Sequence, residues 1–407
     1  MIYLHIGLHK VGSSTIQRFA AARASVLAAH GVHYPESGRG QSDAHHQLVA
    51  AMRDPDSGTA VADVAALVAS RPDDTFLFSS EGLSTLRPPL IRQLVAPLRR
   101  QHDVRVLLYI RNAVDTTVSA YNQTAKRGQR LASFDAFYET RANGREALDH
   151  VRHWGEMVGY DAMRVRSIEP TALAGGDLLT DLCRAVGLDD TAIADLDPAS
   201  VRSTNTRVPW EAAEYAREFA RRSAALLEPL DAASRDALLR GGGPPRRIAR
   251  SIGPDGTYVD TLRIGDLTDL CIEATLAAGG GKPAQYLTPE QSAHLDARYR
   301  EQLAEIATLV PDAKLDHVAP KSLPPRPFEP SYAEISPEVK AAIAAAVEQR
   351  LGLDQLPAPL RDLFRAMHGK VPDTAESTGA RQRPGITDPA ERERRRQRRA
   401  AKAARAG

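Results

Sequence analysis

Aromatic residues make up only 5% of the 407 residues, which argues against a stacking surface for single-stranded nucleic acid. The cysteines, Cys183 and Cys271, are far apart, each inside an apolar stretch. They read as buried free thiols in a reducing compartment, and no Cys/His cluster has zinc spacing. No run approaches the ~18 apolar residues of a membrane span. Met1 leads straight into a strand pattern without a basic segment and a long apolar one, so no signal peptide is expected. Excess charge is absent too: at net +2 the body as a whole is not built to bind a polyanion. These absences leave a soluble cytoplasmic protein as the expectation. The length allows one large α/β domain with additions, or two domains.

What is present is alternation. Strand-like runs occur at Ile2–Leu8, Gly31–Tyr34, Thr75–Ser80, Val104–Ile110 and Met163–Ile168. VRVLLYI and TFLFSS are almost continuously apolar, as strands covered on both faces are. Helical patterns fall between them, over 14–29, 45–53, 60–70, 88–100, 113–126 and 145–158. The reading is a three-layer α/β/α, P-loop-like fold around a parallel sheet of about five strands, with right-handed crossovers. Residues 171–310 read as mostly helix, with GGGPPRR (241–247) and AGGGKP (278–283) as loops. The helix at 287–310 has a clean start, with Thr288 as N-cap, Pro289 at N1 and Gln291 at N3.

The organisation expected is an α/β domain over 1–310, mostly helical after 171, and a helical extension over 311–370. A basic tail over 371–407, whose final stretch has alanine as its only apolar residue, is expected to be disordered.

The first strand breaks into LHKVGSST. Amides at a helix N-terminus are unpaired and, with the helix dipole, favour an anion. Gly12, Ser13 and Ser14 are small enough for backbone to wrap a phosphate or sulfate ester. The Ser13, Ser14 and Thr15 hydroxyls add donors, and Lys10 adds a point charge. The spacing is not that of a Walker A loop, because Lys10 precedes Gly12 instead of following it. Taken alone, the stretch also fits a tight strand-to-helix turn with a surface lysine.

A second motif follows the strand Val104–Ile110, which runs into RNAVDTTVSAY. Arg111 stands at the carboxyl end of a buried strand, where open α/β sheets bind ligands. Ser119 follows eight residues later on a helix whose inward face is Val114, Val118 and Tyr121. An arginine fork and a serine so placed can converge on one phosphate.

Together, HKVGSST after the first strand and R-x7-S-x-Y after a later one resemble PAPS-dependent sulfotransferases, as do GVHYP, FSSEGLS and the 287–310 helix, here bacterial and carbohydrate-type members. The resemblance spans about residues 1–310. It implies that Lys10, Val11, Gly12, Ser13, Ser14 and Thr15 hold the 5′-phosphosulfate of PAPS. It implies that Arg111 and Ser119 hold the 3′-phosphate, with adenosine 3′,5′-bisphosphate (PAP) as product. The chain departs from the pattern at Ala113 and Thr116, where the second motif often has Pro and Arg, and no lysine-glycine segment is evident late in the domain. RSTNTR (202–207) is the nearest polar cluster.

Sulfuryl transfer then needs charge stabilisation, from Lys10, and a base for an acceptor hydroxyl or amine. Glu81, ending TFLFSSE at the same sheet edge, is the first choice of base; His45 and His46 in DAHHQLV are the second. Bracing roles also fit these residues: Glu81 as a capping carboxylate, the histidines as surface residues at a helix start. No metal is required, and no acidic pair has metal-site spacing. The acceptor is expected to be a carbohydrate or small metabolite, and KRGQR (126–130) hints at an anionic one such as a carbohydrate or phosphorylated compound. Nucleic acid is not an expected partner, although the arginine-rich tail could contact a polyanion. Oligomeric state cannot be read. A P-loop kinase and a non-catalytic sulfotransferase-like binding module are the alternatives.

Overall fold

Five parallel strands form the central sheet: β1 (Ile2–His5), β2 (Val32–His33), β3 (Thr75–Ser79), β4 (Val104–Ile110) and β5 (Met163–Ser167). Their order is β2-β3-β1-β4-β5, and every pairing is parallel. The computed structural model describes residues 1–8, 10–40, 42–54, 59–201, 208–240, 244–281, 284–320 and 322–368. The RSTNTR cluster at 202–207 and the whole of the 371–407 tail lie outside them.

The strands form where the sequence is continuously apolar. Ile2, Leu4, Phe78, Val106, Leu107 and Leu108 have no measurable exposure, because helices cover both faces of the sheet. Chain order reverses between β1 and β4: β2 and β3 lie on one side of β1, and β4 and β5 on the other. The loops after β1 and β4 therefore leave a crevice at the carboxyl edge, the place where such sheets bind ligands. The end of β3 lies beside β1, with His5 in register with Ser79.

Residues Met1–Met367 pack as one unit around two cores. One core surrounds the sheet. The other is helical, built around Tyr121, Phe134, Phe137, Tyr215, Phe219 and Phe364. The helix Ala113–Lys126 belongs to both: Ala113 packs against the first, and Val114, Val118, Tyr121 and Ala125 against the second.

The segment after 171 is not helix throughout. An antiparallel hairpin, β6 (Arg246–Ile252) and β7 (Tyr258–Ile264), interrupts it, so Arg246 and Arg247 are strand residues, not loop. The helices Pro337–Leu351 and Ala358–His368 supply Ile343, Val347, Leu360 and Phe364 to the second core. The long helix Pro289–Leu309 carries the expected capping box, Thr288 reciprocated by Gln291.

Candidate active site at the carboxyl edge of the sheet

The loop after β1 is held open by two glycines. A Cβ on Gly7 would lie 2.0 Å from the Ser13 hydroxyl oxygen, and one on Gly12 would lie 2.3 Å from Leu178 Cδ2. Gly12 (φ 88°) and Lys10 (φ 66°) both occupy the left-handed region, which is costly for lysine and free for glycine. These turns bring the chain into the helix Ser13–Ala22, whose N-cap Gly12 provides no side-chain cap. Among the described residues, none offers an acceptor to the amides of Lys10, Val11, Gly12, Ser13 or Ser14. Such a row of unpaired donors at a helix start fits an anionic ester.

The hydroxyls divide. Ser13 is buried and donates to the Leu8 carbonyl at 3.2 Å, so its proton closes the loop instead of serving a ligand. Ser14 is exposed and Thr15 is buried in the first helical turn. Val11 is buried and lines the adjacent cavity with Lys10.

Lys10 is half-buried, and burial, aided by the charges of Arg127 and Arg111, lowers its pKa; Glu81 pulls the other way. Arg111 reaches the Lys10 carbonyl at 3.4 Å and pairs with Asp115 at 2.9 Å. Glu81 and Arg111 thus come from the ends of the two strands that flank β1, and both act on Lys10. Lys126, at the far end of the 113–126 helix, also feels Lys10's charge.

Ser119 sits half-exposed on that helix and does not line the cavity. The helix face turned to the cavity is Ala113, Thr116, Thr117 and Ala120. The structure therefore brings Arg111 to the Lys10 loop but leaves Ser119 on a different face.

Glu81 opens the short helix Glu81–Ser84, whose N-cap is Ser80 accepting from the Gly82 amide. His46 is exposed and its Nδ1 lies 2.9 Å from Ser80 Oγ, which places it beside Glu81. His45 is different. It is fully buried; its Nδ1 accepts from the Ser79 amide at 3.1 Å, and its Nε2 donates to the Pro35 carbonyl at 3.1 Å. Burial lowers its pKa to about 3. With both ring nitrogens engaged by backbone, His45 pins the end of β3 and has no face for a substrate, which corrects its candidacy as a base.

A further histidine carries no signal in the motif spacing. His5 ends β1 beneath the loop, fully buried, with Nδ1 at 2.7 Å from Ser79 Oγ. Its Nε2 is buried and has no hydrogen-bond partner among the described residues. Burial lowers its pKa to about 4, opposed by the charge of Glu81. The apolar run could have flagged it: His5 is the one basic residue inside IYLHIGL.

Beside the loop lies a cavity of about 540 Å³. Its walls come from the loop, the 113–126 helix, residues Arg130 and Thr140–His153, and the Pro289–Leu309 helix. Among the described residues, no three His, Cys, Asp or Glu side chains gather as a metal site. No described helix is long and apolar enough to cross a membrane.

No family model matches the sequence, and no curated protein matches it. Among solved structures, a crystal structure of a sulfotransferase from Alicyclobacillus acidocaldarius is 18% identical, with a TM-score of 0.32. The match covers 57% of this chain and 98% of that one.

Proposed function

We propose that this chain is a sulfotransferase that uses PAPS as donor and moves its sulfuryl group to a hydroxyl or amine of an acceptor, a carbohydrate or small metabolite. The observation that carries the reading is the Lys10 loop: amides with no acceptor among the described residues and a half-buried ammonium facing the charge of Glu81, at one switch point with Arg111. The donor, when bound, supplies the sulfuryl group and a bisphosphate leaving group. The amides of residues 10–14 would hold the 5′-phosphate end, and Arg111 the 3′-phosphate.

The chain's own groups then divide the work. Lys10 neutralises charge building on the oxygen that leaves the sulfur, an electrostatic role that a preorganised cation performs well in a partly dry site. Glu81 accepts the acceptor's proton as the new S–O or S–N bond forms; His46 stands next to it as the alternative. Val11 and the small face of the 113–126 helix exclude water from the reacting end. In-line attack with Glu81 as base places the acceptor between Lys10, which lines the cavity, and Glu81, which acts on Lys10 from outside it.

The test begins with calorimetry. PAP is expected to bind and ATP–Mg²⁺ is not, the reverse of what a P-loop kinase would show. Labelled PAPS with cell extract then reports any product carrying an added sulfo group, by mass spectrometry. Absence of PAP binding removes the donor assignment. Undiminished transfer by Lys10→Ala removes the lysine from the mechanism.

A further inference from the structure

We infer that the cavity beside the Lys10 loop contains a second anion site, built by Arg130 and Arg141 over the ring of Phe137, which selects an acceptor bearing its own oxyanion. The word acceptor rests on the sulfotransferase reading. The anion site rests on the cavity walls alone.

The cavity is lined by Lys10, Arg111, Arg130, Arg141, Arg145 and Arg298, against the carboxylates of Glu146 and Asp149. Four of these arginines have a carboxylate partner: Arg111 with Asp115, Arg141 with Glu146, Arg145 with Glu305, Arg298 with Glu301. Among the described residues, Lys10 and Arg130 have none. Lys10 marks the transferring group. Arg130 marks a second place where negative charge is missing.

Arg130 is also held in position. Its guanidinium stands 5.2 Å over Phe137, a fully buried ring, and Arg141 stands 5.4 Å over the same ring. The backbone around it is tied down: Leu131 N–H donates to Ile252 at 2.9 Å, Ile252 N–H to Gln129 at 2.8 Å, and Arg217 to the Leu131 carbonyl at 2.8 Å. The Arg130 Nε is buried without a partner. The two guanidiniums share one ring and Glu146 balances only Arg141, so an anion beside Arg130 would relieve the remaining repulsion. Burial, and then the charge of Arg141, weaken Arg130's hold on its proton, as expected of a cation with no counter-charge beside it. A guanidinium fork matches a carboxylate, sulfate or phosphate group better than a spherical ion.

The test uses the full chain with PAP bound to saturation, after PAP binding has been measured by itself. Sodium sulfate and sodium glucuronate are titrated against glucose and against sodium chloride of equal ionic strength. Melting temperature and calorimetry are the readouts. The wild type is expected to respond to an oxyanion and not to glucose. Whether sulfate or glucuronate binds more tightly distinguishes the sulfated from the carboxylated acceptor class. Arg130→Ala is expected to weaken the tighter anion about tenfold or more, with partial recovery in Arg130→Lys. An unchanged response in the Arg130→Ala/Arg141→Ala double variant, or a wild-type response equal to that of chloride, overturns the site. Retained PAP binding shows that each variant is folded. If PAP does not bind but the anion response maps to Arg130, the donor reading falls and the anion site stands. If PAP binds and the response does not map there, the anion site falls alone.

Discussion

The Arg111 guanidinium reaches the carbonyl oxygen of Lys10, so the two motif cations are joined through backbone across the crevice between β1 and β4. The contact holds one cation at each of two strand ends that are 101 residues apart in sequence.

Substitution of the two should separate binding from transfer. Arg111→Ala is expected to weaken PAP by about 10- to 100-fold, the loss of a charged hydrogen-bond donor. Its ion pair with Asp115 is exposed enough to contribute only ~0–1 kcal/mol to folding, so the melting temperature should barely move. Lys10→Ala should lower kcat by about 10²- to 10³-fold with the PAP affinity affected less. Calorimetry and steady-state rates on the same preparations check the split; equal effects on both quantities in both variants would contradict it.

The loop's closure can be tested without any ligand. Gly7→Ala puts a methyl 2.0 Å from Ser13 Oγ, and is expected to destabilise by ~1–3 kcal/mol, the usual cost of overpacking. Ser13→Ala by itself removes the hydrogen bond to Leu8 and should cost about 1 kcal/mol. Combined, the two changes should cost less than their sum, because the second removes the atom that the first strikes. Urea denaturation of the four proteins measures the coupling, and strict additivity would show that Gly7 is not constrained by Ser13.

Acid should destabilise the fold well before its carboxylates titrate. His45 and His5 have pKa values lowered to about 3 and about 4, while an unfolded histidine titrates near 6.5. Above that unfolded value neither state binds the proton and the groups contribute nothing to the pH dependence. As pH falls below it, the unfolded chain takes up protons that the folded chain refuses, so stability is lost until the folded values are reached. Each histidine is expected to remove about 2 kcal/mol between pH 7 and pH 5. His45→Gln, which can still accept from Ser79 and donate to Pro35, should reduce the loss by one histidine's share. Denaturant melts at the two pH values decide; the same loss in wild type and variant would show that His45 is not the titrating group.

Most of the sheet was legible, because buried parallel strands are written as apolar runs. Val104–Ile110 is the same in pattern and in structure, and Thr75–Ser79 ends one residue short of the pattern. The helix expected over 14–29 is divided at Arg23, where φ −106° and ψ 15° break the ladder without any glycine or proline to announce it. The hairpin of β6 and β7 escaped notice although GPDG at 253–256, with Gly256 at φ 84°, is a turn signal between two alternating runs. Its four strand arginines hide the alternation, since long side chains lie on a strand face without being apolar.

The site was legible at Lys10 and Arg111, whose positions follow from where strands end. It was not legible at His45 and His46, because adjacent residues at a helix start share a sequence environment. Only the reach of the Ser79 and Pro35 backbone decides which of the pair is buried. Arg130 reads as one basic residue among several in KRGQR. What distinguishes it is a tertiary fact that no local pattern contains: among the described residues no carboxylate pairs with it.

The buried Tyr121 hydroxyl donates to Glu214 at 2.6 Å, Glu214 pairs with Arg217, and Arg217 holds the Leu131 carbonyl. One end of this relay is the helix that begins beside Arg111; the other is the backbone next to Arg130. Glu214 has no exposure, so its charge cannot be surrendered to solvent without unfolding the packing around it. The two ends of the cavity are thereby bolted to a common strut. Exchange of the side chains that hang from such a frame changes what the cavity can hold, while the span between its ends stays fixed.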